Sequence, residues 1–159
     1  MKNNIETLID ICCEKENELK KIVKIAFLQQ DAIEKEDMEE LYKVNEQKQS
    51  IMDHINKMDI KFLTQLEKLK SDLGITSIGD IDVNAFPRIK DLKEKISDVM
   101  MLLRRIDELD KKNTLEMNKR FDKVKENLRT SKAQKQSRKI TASYSKKYSS
   151  VEGIFIDHK

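Results

Sequence analysis

Three observations predict an all-α fold, an elongated antiparallel three-helix coiled-coil bundle with a flexible basic C-terminal tail. Three long apolar seams, stepping by threes and fours, account for nearly every hydrophobic residue before position 130. A composition of 38% charged and 5% aromatic residues suits a helical assembly better than a compact globule. Gly74, Gly79 and Pro87 fall in one short segment and the remaining glycine is Gly153, so residues 1–73 and 88–152 hold no strong helix breaker.

The first helix is predicted over about 4–34, on the seam Ile5, Ile9, Cys12, Glu16, Leu19, Val23, Ala26, Gln30 and Ile33. Its end is marked by register. From Ile33 to Leu41 the step is eight residues where a heptad needs seven, and Asp37 followed by Glu40 forms a capping box. A tight reversal near 34–37 therefore makes helices one and two a hairpin. The competing arrangement, one continuous helix to Leu73, would be roughly 105 Å long at 1.5 Å per residue and would need a second chain to cover it.

The second helix, about 38–73, carries Leu41, Val44, Lys48, Ile51, Ile55, Met58, Phe62, Leu66, Leu69 and Leu73. The connection 74–86 includes Ile75, Ile78, Ile81, Val83 and Phe86, too apolar for a solvated linker, so it is expected to pack across the bundle end. Asn84 is a candidate cap for the third helix, and Pro87 suits its first turn, where a missing N–H costs nothing. That helix, about 87–130, runs Ile89, Leu92, Ile96, Val99, Leu103, Ile106, Asp110, Asn113, Met117, Phe121, Val124 and Leu128.

Polar residues inside the seams bear on register. If helices two and three fold back about residue 80, Lys48 falls beside Asp110 and Asn113, which would form a structural polar layer. Such a layer stabilises weakly but is expensive to pair wrongly. The competing reading lets Lys48 snorkel to water. Glu16 and Gln30 find no partner in the sequence alone.

Residues 1–130 thus read as a bundle domain and 131–159 as a mobile basic tail. Lys132, Lys135, Arg138, Lys139, Lys146, Lys147 and Lys159 against Glu152 and Asp157 give the tail a net charge of +5, while the whole chain carries +3. After Leu128 there is almost no apolar residue to hold the run RTSKAQKQSRKITASYSKKYSS down. Ile154, Phe155 and Ile156 then form an apolar cluster that would be odd to leave without a partner.

Several function classes lack support. There is no glycine-rich phosphate loop, no nucleophile beside a base, and no ligand spacing around His54 or His158, so neither an enzyme nor a cofactor or metal site is expected. Adjacent Cys12 and Cys13 have no second pair at zinc spacing and read as reduced thiols of a cytoplasmic protein. No apolar run is long enough for membrane insertion. A lysine-rich tail can bind phosphates, but only Tyr144, Tyr148 and Phe155 could stack a base there, and no nucleic-acid partner is expected.

The order of features resembles the FlgN family of flagellar export chaperones. The resemblance lies in Leu8-Ile9-Asp10-Ile11 with Glu16 and Leu19, in Gln30-Asp31-Ala32-Ile33 with Asp37 and Leu41, and in Lys48 ahead of Ile51. It continues through Leu103, Ile106, Asp110 and Asn113, where Asp110 replaces the first of the family's paired asparagines. Tyr148 to Gly153 is similar to the tyrosine-to-glycine segment closing many members, and Gly153 to Asp157 resembles the ending of clostridial ones.

The resemblance implies a cytoplasmic protein that binds the C-terminal helices of hook–filament junction proteins, also called hook-associated proteins. It further implies delivery to the cytoplasmic domain of the flagellar type III export gate. The residues suited to substrate capture are Phe121, Val124, Leu128, Ile140 and Tyr144, since an amphipathic helix can be masked by a helix offered to the same apolar face. Tyr148, Ile154, Phe155 and Ile156 are candidates for docking either substrate or the export gate. A weak homodimer when free is compatible with this reading. The rival is a scaffolding coiled coil that self-associates without chaperone activity.

Overall fold

The computed structural model describes residues 2–129, and among them the chain forms helices and turns with no strand. Helix α1 is Lys2–Glu34, α2 is Met38–Leu73 and α3 is Arg88–Arg129, with a short 3-10 turn, Ile78–Asp80, between α2 and α3. These bounds agree with those read from the seams, and α1 and α2 are separate helices.

The break between them is a six-residue capping arrangement. The Asp37 N–H donates to the Ala32 carbonyl at 2.9 Å and the Glu36 N–H to the Ile33 carbonyl at 3.1 Å. This Schellman pattern needs a left-handed residue at Glu36, whose φ is 54°. The next helix starts at once, because the Asp37 carboxylate accepts the Glu40 N–H at 3.1 Å. The same pattern ends α2, with Ile75 N–H on the Lys70 carbonyl and Gly74, at φ 65°, in the left-handed position. There glycine adopts the conformation without steric cost.

The chain divides into two compact units. The first joins Met1–Val23 to Ser50–Arg105. Its core is built from Ile5, Leu8, Ile9 and Cys12 of α1, Leu69 of α2, Ile81 of the connection, and Ile89 and Leu92 of α3. Each of the aliphatic side chains contributes about 1.5–3 kcal/mol on burial, before the entropy of ordering it is subtracted. Ile75, Ile78 and Phe86 of the connection pack on this core half-buried, whereas Val83 stays exposed. Asn84 does not cap α3. It lies in a turn four residues before Arg88 and gives its N–H to Asp82 Oδ1.

Ion pairs bridge the helices of the first unit. Arg88 holds both carboxylate oxygens of Glu6 at 2.6 and 3.0 Å and reaches Asp91 at 2.6 Å. Lys15 meets Asp59 at 2.6 Å. Glu16, which the sequence left without a partner, bonds Lys95 at 2.9 Å and Lys20 at 3.2 Å. The Lys95 bond, aided by Lys20, holds the Glu16 carboxyl below its ordinary range. Cys12 is buried and burial pushes its thiol up to about 11, so it packs as a small apolar group.

Among the described residues the second unit joins Lys24–Gln49 to residues 106–129. Its buried residues include Ile33, Leu41, Val44, Ile106 and Met117, interleaved with polar ones.

Two seam positions differ from the sequence reading. In α1 it is Gln29 that is buried, while Gln30 is only half-buried, because α1 packs on two neighbours and its covered stripe is wider than a two-position seam. In α3 Leu103 is 36% exposed. The face fixed by Val99, Ile106, Asp110, Asn113 and Met117 leaves Leu103 at its edge, one step beyond the covered stripe.

Candidate functional site

The buried polar residues among those described lie in the second unit. Lys48 sits on the buried face of α2, four residues after Val44, and Asp110 on that of α3, four residues after Ile106. The Lys48 ammonium lies 3.0 Å from Asp110 Oδ1, with both side chains almost fully covered. Burial pushes the lysine below and the carboxyl above their ordinary values, each opposed by the other's charge. Asn113, one helical turn after Asp110, is also buried, but its amide donates to the Ala26 carbonyl of α1 at 2.9 Å. The three residues thus fasten α3 to both other helices in this unit. None of them is snorkelling to solvent.

A second buried pair lies off the apolar seams. Gln29 Nε2 donates to Asn45 Oδ1 at 2.6 Å, linking α1 to α2. Gln29 is one position off the heptad seam and Asn45 follows a seam valine, so spacing alone marks neither as interior. Gln29 Oε1 and Asn45 Nδ2 have no hydrogen-bond partner among the described residues.

The far end of α3 outruns its neighbours in the same unit. Asn113 is level with Ala26, and Arg120 reaches Glu36 in the α1–α2 turn at 3.5 Å while bracing on Glu116 at 2.9 Å. Since α1 stops at Glu34, residues 121–129 continue past that turn by roughly 13 Å at 1.5 Å per residue. Phe121, at the root of this projection, is half-buried. Val124 and Leu128 follow it on the α3 backbone, and their side chains lie outside the described residues. Ile140, Tyr144, Tyr148, Ile154, Phe155 and Ile156 lie outside the described residues as well.

Close to the turn, Met38, Glu39, Tyr42, Lys43 and Glu46 on the first turns of α2 line an open hollow of about 400 Å³. Its apolar members and charged rim can accept a side chain but hold no acid–base pair positioned for catalysis. His54 is exposed and faces Glu14 at 3.2 Å. Among the described residues no cluster of His, Cys, Asp or Glu could hold a metal ion. No described helix is long and apolar enough to cross a membrane.

Among the described residues the site is thus a helical scaffold in which α3 runs on past the α1–α2 turn. A family model described as FlgN protein matches residues 1–150. Neither the curated proteins nor the solved structures offer a match to the chain. With a match over nearly its whole length, the chain belongs to the FlgN family and has the general role of a flagellar export chaperone that binds hook-associated proteins.

Proposed function

We propose that this chain binds the C-terminal helices of hook–filament junction proteins in the cytoplasm, blocks their premature assembly, and delivers them to the cytoplasmic domain of the flagellar export gate. The observation that carries the reading is the family match over residues 1–150, which runs through the projecting end of α3 and beyond it. Junction-protein termini must bury an apolar helical face, and a projecting helix with apolar residues three and four apart can cover part of that face. Phe121, Val124 and Leu128, followed by Ile140 and Tyr144, make the capture stripe. Tyr148 with Ile154, Phe155 and Ile156 docks substrate or gate. The basic residues around them favour acidic surfaces and speed encounter.

Co-expression with a C-terminal fragment of a junction protein from the same cell tests the reading. The full chain retains the fragment through purification, and a variant with Phe121, Val124 and Leu128 changed to Ser loses it while keeping its helical circular dichroism. Retention by that variant would move the binding surface elsewhere on the chain.

A further inference from the structure

The two units differ in what they bury. Among the described residues the first unit buries 13 apolar residues and no polar one, whereas the second buries 8 apolar residues and all 5 of the buried polar or charged ones. Two of those eight are Ala26 and Ala32, which contribute little area. Within the second unit Gln29 Oε1 and Asn45 Nδ2 are covered and unmatched among the described residues, although water would satisfy both once the helices part. Lys48 and Asp110 likewise regain full hydration on opening. The reversal that closes this unit places a glutamate, Glu36, in a left-handed conformation that glycine would adopt freely.

Each of these features lowers the cost of separating the helices of the second unit, and none occurs among the buried residues of the first. We propose that the second unit is a built-in opening device: it unfolds locally while the first stays packed, and its opened form is the one that receives the partner's amphipathic helix. This rests on the helix-binding reading above. It adds the place where the scaffold yields. On parting, the apolar faces of Ile33, Leu41, Val44 and Met117 become available to the incoming helix, next to the root of the α3 projection. A partner helix that supplies polar groups opposite Gln29 and Asn45 would satisfy the atoms that no described residue meets in the closed form. The polar layer then serves selection, since a wholly apolar helix would leave those groups buried and unmet.

Native-state hydrogen exchange on the full chain, without partner, tests the opening. The comparison is made inside α3, where neither segment lies at a helix end. Amides of 106–117 should exchange at least about 100-fold faster than those of 92–99, since each unmet buried group is worth about a tenfold change in the opening constant. Equal protection of the two segments would overturn the proposal.

A Gln29→Leu/Asn45→Leu variant should bring the protection of 106–117 toward that of 92–99 and weaken capture of the junction-protein fragment by about tenfold, because a less populated open form costs apparent affinity. If this variant fails to fold, Lys48→Met/Asp110→Leu serves the same comparison. Raised protection with undiminished capture would overturn opening as the route of binding. Absence of capture by the unaltered chain would instead overturn the functional reading, and the exchange pattern alone would then decide whether the second unit opens.

Discussion

Lys48 and Asp110 are almost fully covered, and the cost of taking both charges out of water offsets much of their attraction, so the pair is expected to fix the register of α2 and α3 more than to stabilise them. Replacing Lys48 alone leaves a carboxylate in the core, and Lys48→Met should cost about 3–5 kcal/mol at neutral pH. The paired change Lys48→Met/Asp110→Leu should be neutral or stabilising, because the desolvation cost disappears from both sides. The pH dependence has a definite sign. Burial raises Asp110 in the folded state and loss of the lysine raises it further, so the folded form of Lys48→Met binds the proton more tightly than the unfolded chain. Its stability is therefore present in acid and lost as pH rises from the ordinary carboxylate value of about 4 through the raised one. Urea midpoints from pH 4.5 to 7.5 should show the deficit against the parent growing, and a constant deficit would contradict the assignment. Spacing made Lys48, Asp110 and Asn113 visible, since each interrupts an apolar seam. Gln29 and Asn45 interrupt none, so their burial could not be read before the helices were placed.

At the scale of the element, the seams located all three helices because their period and the missing breakers agreed, and the eight-residue step with Asp37 and Glu40 located the turn. What spacing could not supply was the centre of each buried face. A three-helix arrangement covers a stripe wider than a heptad seam, so a residue one step from the centre is undetermined, as at Leu103 and Gln30. Leu103→Asp should accordingly shift thermal unfolding by only a few degrees, roughly 1 kcal/mol for an edge position, whereas Val99→Asp places a charge in the core and should cost several kcal/mol. Equal effects at the two positions, read by calorimetry, would mean that the face of α3 is drawn wrongly. The turn offers a stabilising change. Glu36→Gly relieves the left-handed strain and should gain about 1 kcal/mol, since the exposed contact it gives up with Arg120 is worth little. A lower melting temperature for this variant would show that the Arg120 contact matters more than the backbone.

For the whole molecule, the helical scaffold follows from periodicity and composition, but its role does not. Three apolar seams fit a chaperone and a scaffold equally well, and what separates them is the family to which the chain belongs. Removing residues 131–159 should leave helical circular dichroism unchanged and the melting temperature within about 2 °C, because the buried residues among those described all lie before residue 120. The same truncation should abolish capture of the junction-protein fragment. A truncated chain that captures it fully would confine binding to the helices.

The most direct test of the central claim is the mass, by light scattering, of the complex between the full chain and a C-terminal fragment of a hook–filament junction protein from the same cell. A soluble one-to-one heterodimer is expected, in which the fragment no longer self-assembles. No complex, together with a stable homodimer of the chain alone, would contradict it and favour a self-associating coiled coil.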